Sequence, residues 1–332
     1  MALVFADSPD EFSAAQITRY YSAGSITGIG TPGPDGTGKY FDMSTDSSLP
    51  LPLTAAGEYM AIFDFFQSGS RTETWFQFQT AAGSPILTIG GGGTGGNFVI
   101  NGTNYPGLLS GSWQHIQVRL LIGTGTSGHI TVKADGTTLL DVATNTGSTN
   151  IGKAVWSGNN SGGRRFANLV ILDASGSIGN SLPAGRLKVR PIYPTADGTY
   201  TDWAPDSGGN LYSRINEKPA NDDTSYVFDQ TVGHKFSCTM DHIPTSGIAH
   251  ILGLIVTAVQ KEDDAGGKTD QLLVRSGTTD HYNGADIPTV TGYGSTTKDG
   301  VPAMILITDP DTGVEWTPTG INAIECGAKI TA

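Results

Sequence analysis

The chain has 332 residues, which is long enough for two domains of ordinary size, and its formal net charge at pH 7 is −12. Nucleic-acid-binding proteins neutralise phosphates with clustered lysine and arginine, so this charge argues against nucleic acid as a partner. The 46 glycines and the charged fraction of 15% are typical of short strands joined by turns rather than of long helices.

The first ten residues, MALVFADSPD, have neither a basic region nor an apolar core and do not resemble a signal peptide. No apolar run reaches the roughly 18 residues of a membrane-spanning helix. We therefore expect a soluble protein that is made in a cytoplasm and does not insert into a membrane. Because the cytoplasm keeps thiols reduced, Cys238 and Cys326 are expected to be reduced and buried.

The first half of the chain predicts strands that alternate with turns. Thr74–Thr80 and Trp113–Leu121 each alternate apolar and polar residues, which is the pattern of a half-buried strand. Asp135 and Gly136 form a strong hairpin-turn pair. The strands predicted in this half are Glu58–Gln67, Thr74–Thr80, Ile86–Ile89, Asn97–Ile100, Trp113–Leu121, His129–Ala134, Thr138–Val142 and Leu169–Leu172.

Residues 173–185 are small, polar and without periodicity, so they predict a boundary between two domains. We expect one domain over residues 1–181 and a second over residues 182–332. A new strand system is expected to begin near Arg186. The clearest later strands are predicted at Phe236–Met240, Ile248–Val259, Gln271–Arg275, Met304–Thr308 and Gly327–Thr331.

One short helix is expected near residues 319–325 of the second domain, with Thr319 as its N-cap after Pro318. No other segment sustains helical periodicity over the roughly ten residues that a helix prediction requires. The predicted fold class is therefore all-β, with two β-sandwich domains.

The stretch YPTADGTYTDWAP, residues 193–205, combines three aromatic and two acidic residues. The aromatic rings could form a stacking platform for a sugar, and the two aspartates could bind calcium or form a carboxylate pair. All five could equally be turn and packing residues at the edge of a sandwich. Because tryptophans bury large apolar areas, core positions are favoured for Trp113, Trp156, Trp203 and Trp316.

Several motifs that suggest a catalytic or metal site lack the context that such sites need. Gly33–Lys39 has the spacing of a phosphate-binding loop, but Tyr40 stands where a serine or threonine should hold magnesium. Residues 91–96 have the glycine spacing of a dinucleotide-binding motif but lie between two predicted strands. Residues 309–316, DPDTGVEW, are more typical of a turn than of a calcium loop. We predict no catalytic, cofactor-binding or metal-binding residues and no cofactor.

Ordered segments of the chain resemble one protein family. MALVFADSPDEFSAAQITRYYS and HITVKADGTTLLDV resemble the concanavalin-A-like, laminin-G-like jelly-roll domain that opens a group of tailed-phage structural proteins. GRLKVRPIYPTADGTYTDWAP and NEKPANDDTSYVFDQTVGHKFSCTM resemble the C-terminal domain of the same proteins. The resemblance covers nearly the whole chain. The E-x-D-x-x-E strand of beta-glucanases, which share the jelly-roll class, does not occur here.

The resemblance implies a structural component of a tailed-bacteriophage virion that is not an enzyme. It would be exposed on the particle surface, as a tail- or fibre-like protein or a head decoration, and synthesised in the cytoplasm of a bacterial host. Expected partners are other tail or capsid proteins and further copies of the chain, in a trimer or another small ring. The loops at residues 90–96 and 145–163 are expected to be the contact or glycan-facing tips.

Two other functional hypotheses stay open. The first is a glycan-binding module on the same virion, which would recognise a receptor on the host surface. The second is a secreted microbial lectin or hydrolase, which the absence of a signal-peptide pattern disfavours.

Overall fold

The computed structural model describes residues 2–9, 28–34, 36, 38–43, 48–69, 72–93, 96–108, 110–158, 163–174, 182–218, 220–261, 268–284, 294–295 and 303–332. The chain divides into two compact units, Met1–Arg190 and Pro191–Ala332. The division falls after the expected boundary between residues 181 and 182, because residues 182–190 hydrogen-bond to strands of the first unit.

The first unit consists of antiparallel strands over its described residues. They are β1 (Ala2–Asp7), β2 (Gly28–Gly30), β3 (Tyr40–Asp42), β4 (Ser48–Ala56), β5 (Glu58–Gln67), β6 (Thr74–Thr80), β7 (Pro85–Gly91), β8 (Asn97–Ile100), β9 (Thr103–Pro106), β10 (Trp113–Leu121), β11 (His129–Ala134), β12 (Thr137–Ala143), β13 (Ile151–Ser157) and β14 (Arg164–Asp173). The strands predicted at Glu58–Gln67 and Thr74–Thr80 are confirmed with those bounds. Asp135 and Gly136 connect β11 to β12 with φ angles of 48° and 80°, as a tight hairpin turn requires.

Two antiparallel sheets make this unit a sandwich. One has the strand order β12-β11-β10-β5-β14-β3-β2, with β1 also paired to β14, and the other has the order β4-β13-β6-β7-β8-β9. Aromatic rings from both sheets fill the space between them: the ring of Phe63 lies 5.1 Å from that of Phe76 and 5.8 Å from that of Trp156, between centroids. The predicted concanavalin-A-like jelly roll is confirmed.

Strand β5 is buried on both faces. Its alternation sends Phe63 and Phe65 into the aromatic core and Ile62 and Asp64 to the opposite face. Residues 182–190 lie over that opposite face and contact Asp64. The long apolar sequence of β5 thus reflects burial on both sides rather than a parallel sheet.

The second unit is also built from strands over its described residues. They are β15 (Pro194–Thr201), β16 (Ala204–Pro205), β17 (Val227–Phe228), β18 (Lys235–Met240), β19 (Leu254–Val256), β20 (Val259–Gln260), β21 (Asp270–Ser276), β22 (Thr279–Tyr282), β23 (Gly294–Ser295), β24 (Met304–Leu306) and β25 (Glu325–Ile330). The described residues of this unit also form two single turns of 3₁₀ helix, Tyr212–Arg214 and Asp222–Thr224, and one α-helix, α1 (Pro318–Ile321).

A five-stranded antiparallel sheet in the order β15-β18-β25-β21-β22 is the framework of this unit. The pairs β16–β17, β19–β24 and β20–β23 form small separate sheets. The main buried cluster comprises Leu272, Val274, Met304, Leu306, Trp316, Ile321 and Ile324. Within it, the indole of Trp316 donates a hydrogen bond to the carbonyl of Leu306 at 3.0 Å. With both units assembled from strands, the predicted all-β fold class is confirmed.

Several predicted elements differ from the observed ones in their bounds, and three of these differences have a clear structural basis. No strand begins near Arg186; the next strand, β15, starts at Pro194. The apolar run Ile248–Val259 contains only β19 and the start of β20, because the partner of β19, β24, offers three residues for pairing. Outside β19, Ile251 and Ala258 pack on the main cluster without belonging to a strand. The helix begins at Pro318, whose fixed φ suits the first helical position, and its N-cap is Thr317 rather than Thr319.

None of the helices in the described ranges has the length and apolar character needed to cross a bilayer.

Candidate functional site

The outer face of the five-stranded sheet carries a group of charged and aromatic side chains. Alternation along β18 sends Phe236 and Cys238 into the core and leaves Lys235 and Ser237 on the other face. Pairing with β25, β21 and β22 places further polar residues beside them. We call this surface the tyrosine–lysine face; it comprises Tyr200, Lys235, Ser237, Arg275, Asp280, Tyr282, Glu325 and Lys329.

Asp280, on β22, is the centre of this face. Its carboxylate accepts hydrogen bonds from the hydroxyl of Tyr200 at 2.7 Å, the ammonium of Lys235 at 2.9 Å and the guanidinium of Arg275 at 2.8 Å. The Asp280, Lys235 and Arg275 side chains are 16%, 23% and 19% exposed. The charges are therefore held in place by one another while solvent still reaches them.

Glu325, on β25, is the second carboxylate of the face. It accepts hydrogen bonds from the hydroxyl of Ser237 at 2.6 Å and from the backbone and hydroxyl of Thr199, both at 2.8 Å. Gly198 makes this arrangement possible, because a Cβ atom at that position would lie 2.5 Å from a Glu325 carboxylate oxygen. A side chain at position 198 would therefore displace the Glu325 carboxylate from this position.

Two tyrosine rings lie among the cations. The Lys235 Nζ is 4.5 Å from the ring centroid of Tyr200 and 5.6 Å from that of Tyr282, and the Lys329 Nζ is 5.3 Å from the centroid of Tyr282. Lys235 and Lys329 are directly opposite on β18 and β25, where like charges repel. Asp280 neutralises Lys235, whereas Lys329 makes no ion pair with a residue that the structure describes.

The contacts around Asp280 shift the pKa values of Asp280, Lys235 and Tyr200. Burial alone would raise the pKa of Asp280, but the hydrogen bonds from Lys235, Tyr200 and Arg275 lower it to about 2. Contact with Tyr282 and Asp280 raises the pKa of Lys235. The hydrogen bond to Asp280 raises the pKa of Tyr200, so its hydroxyl keeps its proton and acts as a donor. The face therefore presents aromatic rings, fixed charges and hydrogen-bond donors to a ligand.

A second polar group lies in the first unit, on the face of β5, β10 and β14 away from the aromatic core. The Asp64 carboxylate is fully buried, accepts from His115 Nδ1 at 3.0 Å and from Asn168 at 2.6 Å, and pairs with Arg186 at 2.9 Å. Asn168 has a φ of 52° and lies at an irregularity in the β14 register, which turns its amide toward Asp64.

Residues 182–190 of the same unit bind to the side chains of this second polar group. The Gln117 amide donates to the carbonyl of Pro183 at 2.9 Å, and the backbone N–H of Val189 donates to the Asn168 amide oxygen at 3.1 Å. The polar side chains of this group therefore hold a peptide segment of the same unit, whereas the charged side chains at the centre of the tyrosine–lysine face are partly exposed to solvent. We take the latter as the candidate site.

The acidic and aromatic residues of 193–205 do not act together. Tyr200 belongs to the tyrosine–lysine face, while Trp203 packs against Phe236 on the opposite side of the sheet, with 4.6 Å between ring centroids. Asp197 accepts the backbone N–H of Tyr212 at 2.8 Å, and Asp202 accepts that of Lys235 at 3.1 Å. Each aspartate is thus used in backbone hydrogen bonding. The ring centroid of Tyr193 lies 4.0 Å from the Lys218 ammonium.

Residues 309–316 form a turn between β24 and α1. The Asp309 carboxylate accepts from the hydroxyl of Ser276 at 2.7 Å and from the backbone N–H of Asp311 at 3.0 Å, and Glu315 contacts His250 at 2.9 Å. Over the described ranges, no group of three or more histidine, cysteine or acidic residues has the geometry of a metal site.

The predicted contact loops are partly strands. Residues 145–163 contain β13, an internal strand of the six-stranded sheet, so they do not form one long loop; their sequence is rich in glycine and asparagine but includes the apolar alternation of β13. Gly90 and Gly91 belong to β7, which pairs with β8, and the N–H of Gly92 bonds to the carbonyl of Asn97 at 2.9 Å; residues 94 and 95 of this predicted loop lie outside the described residues. Of the four tryptophans expected in the core, Trp156 and Trp316 are buried, and Trp113 and Trp203 are half-buried.

No family model matches the chain. No curated protein matches it either. Among solved structures, the chain is similar to alginate lyase Aly36B, at 16% identity and a TM-score of 0.37, over 51% of this chain and 96% of that one. An endo-beta-1,4-glucuronan lyase from the fungus Trichoderma reesei is 10% identical, with a TM-score of 0.33, over 52% and 96%. Domain 4 of AbnA, an extracellular GH43 arabinanase from Geobacillus stearothermophilus, in complex with arabinotriose, is 16% identical, with a TM-score of 0.34, over 52% and 92%.

The prediction that the chain is not an enzyme is wrong, because two of these similar structures are lyases. That prediction depended on the absence of short catalytic motifs, and residues assembled from distant strands leave no such motif. At 10–16% identity the similarity concerns the fold, and no catalytic residue is transferred to this chain. The virion assignment stays a prediction.

Sequence reasoning missed most of the tyrosine–lysine face. Arg275 and Asp280 lie on the hairpin of β21 and β22, whereas Lys329 and Lys235 come from strands that join this hairpin only in the folded sheet. The available signal was the regular alternation of polar with apolar residues along β18, which predicts a polar outer face but not which residues meet there.

Proposed function

We propose that the chain binds an acidic glycan on its tyrosine–lysine face. The observation that carries this proposal is the placement of Lys329 directly opposite Lys235, with the ring of Tyr282 near both ammonium groups. An aromatic ring beside two cations suits a sugar ring that bears a carboxylate or another anionic substituent.

Electrostatics favour an anionic ligand at this position. The face holds three cations, Lys235, Arg275 and Lys329, against the two carboxylates of Asp280 and Glu325, in a chain whose net charge is −12. Asp280 already pairs with Lys235 and Arg275, which leaves Lys329 to attract a ligand anion. A bound carboxylate between the two lysines would also relieve their mutual repulsion.

Hydrogen bonding and rigidity support the same ligand class. The ordered donors Arg275 and Lys235 lie beside the Tyr200 ring, so a sugar that contacts the ring meets them in fixed positions. A site that is arranged before binding loses little conformational entropy when the ligand arrives.

Binding should depend on the ligand's charge and on Lys329. We expect an oligosaccharide of a uronic acid to bind roughly tenfold tighter than its methyl ester, since a charge-assisted hydrogen bond contributes about 1.5–3 kcal/mol. Lys329→Gln should weaken binding of the acid roughly tenfold and leave that of the ester unchanged. Isothermal titration calorimetry at two salt concentrations measures both, and the preference for the acid should fall as salt rises.

Lys153→Gln is the matched control, because it removes the same charge from β13 of the first unit and should not change affinity. Equal affinities for the acid and its ester, or equal effects of the two substitutions, would rule out an anion site at Lys329. Absence of binding to either compound, with the protein shown to be folded, would contradict glycan binding on this face for the tested sugar series.

We further propose that this binding takes place on the outer surface of a tailed-phage particle. The support is the resemblance of ordered segments over nearly the whole chain to phage structural proteins, together with an acidic composition that disfavours contact with packaged DNA. The chain would be made in the cytoplasm of a bacterial host and would assemble with tail or capsid proteins and with its own copies, as a trimer or another small ring.

An antibody raised against the purified protein tests this location. Labelling of intact particles in electron micrographs is the expected result, and the same antibody should label no particle when it is first absorbed with the purified protein. Labelling confined to the interior of disrupted particles, or protein present in the lysate but absent from particles, would contradict a surface role.

A further inference from the structure

The chain has two cysteines, and the fold places them opposite each other. Cys238 lies on β18 and Cys326 on β25, and the register pairs them directly. Opposite residues of an antiparallel pair project from the same face, with Cα atoms about 4.5–5.5 Å apart. Disulfides span Cα separations of roughly 4.4–6.8 Å. The backbone spacing of this pair therefore suits a disulfide, although both cysteines are free thiols in the structure.

The strands approach each other closely beside this pair. Gly327 follows Cys326, and a Cβ atom at that position would lie 1.9 Å from the carbonyl oxygen of Phe236. Any other residue at position 327 would force β18 and β25 apart. Glycine thus keeps the two strands at short range next to the thiols.

We infer that Cys238 and Cys326 form an intramolecular disulfide, which joins β18 to β25, when the chain folds in the presence of a small disulfide oxidant. One cysteine thiolate attacks a sulfur of the oxidant, forms a mixed disulfide and releases one thiol. The second cysteine thiolate then displaces the other half of the oxidant as a second thiol. The two cysteines lose two protons and two electrons, and the oxidant's S–S bond is reduced.

The environment of the pair determines when this reaction is fast. Burial raises the pKa of both thiols to about 12, and the carboxylates of Asp197 and Glu325 act on Cys238 in the same direction. The thiolate is the attacking species, so the folded protein should react slowly at neutral pH. The disulfide should form readily during folding, before β18 and β25 bury the two thiols. In a reducing cytoplasm the same two cysteines would stay reduced.

Refolding in glutathione tests the inference. The full-length chain, unfolded in urea and reduced, is refolded in a mixture of oxidised and reduced glutathione, and its peptides are analysed by mass spectrometry without reductant. We expect a Cys238–Cys326 linked peptide and no titratable thiol. Folded reduced protein in the same mixture should form the link at least roughly tenfold more slowly, with the rate rising as the pH is raised.

Two variants and a stability measurement complete the test. Cys238→Ser and Cys326→Ser should each keep one thiol or carry one glutathione. The linked wild-type protein should melt roughly 5–10 °C above its reduced form, as expected for a long closed loop. If refolding yields little native protein, oxidation of the folded chain at alkaline pH provides the same comparison. Two retained thiols, glutathione on both cysteines, or links between chains would overturn the inference.

Discussion

Replacing Asp64 with alanine is expected to destabilise the first unit by about 3–5 kcal/mol, the usual effect of removing one partner of a buried ion pair. The Asp64 side chain is fully buried and accepts from His115 and Asn168 while it pairs with Arg186. Without it, three polar side chains lose their partner in a place that water reaches poorly. The segment 182–190, which contains Arg186, should lose its anchor to β5 as well.

Asp141 provides a matched control within the same sheet. Asp141 lies on β12, and its carboxylate is 2.7 Å from Nε2 of His129 on the neighbouring strand β11. The Asp141 side chain is largely exposed. Asp141→Ala therefore removes a similar aspartate–histidine pair in a solvated setting, where such pairs contribute little. Comparing the two substitutions separates the effect of burial from the effect of the pair itself.

Hydrogen exchange during urea titration measures the stability of the first unit in both variants, because peptides from β5 and β10 report on this unit alone. Asp64→Ala should lower the urea concentration at which these peptides lose protection, and peptides from residues 182–190 should exchange faster even without urea. If the two alanine variants lose protection at the same urea concentration, Asp64 does not have the structural role assigned to it.

Local sequence pattern accounts for much of the first unit. The bounds of β5 were predictable from a continuous apolar run, and those of β6 from the alternation of apolar and polar side chains. The run Ile248–Val259 shows the limit of this argument, since its apolar residues pack on the main cluster with little strand pairing. Apolar character predicts burial, but the length of a strand also depends on its partner, here the three-residue β24.

The candidate site was less predictable than the fold. The strand β22, TDHY, is short and polar and has no strand pattern of its own, yet it supplies Asp280 and Tyr282. Their meeting with Lys235 depends on the order of strands in the sheet and on register, which no local pattern gives. The buried group around Asp64 escaped prediction for the same reason, because Asn168 and Arg186 reach it from distant parts of the chain.

Replacing Trp203 with alanine should destabilise the second unit by about 3 kcal/mol, the low end for an emptied aromatic site, because the indole is half-buried rather than enclosed. Trp203 contacts Phe236. Its indole N–H is buried without a hydrogen-bond partner among the described residues, so Trp203→Phe keeps a ring and removes an unsatisfied donor. That variant should stay close to wild type in stability.

Tyr200 lies three residues before Trp203 but on the opposite face of the sheet. Alanine at position 200 should therefore mainly lower glycan affinity, and alanine at position 203 should mainly lower stability. Tyr200→Ala removes a ring from the tyrosine–lysine face and should weaken binding of an acidic oligosaccharide roughly threefold to tenfold, with a smaller loss of stability. Trp203→Ala should lose stability and, at a temperature where it is folded, keep its affinity. Calorimetric unfolding and titration of both variants measure the contrast. A stable Trp203→Ala variant with lost glycan affinity would place the binding surface on the other side of the sheet.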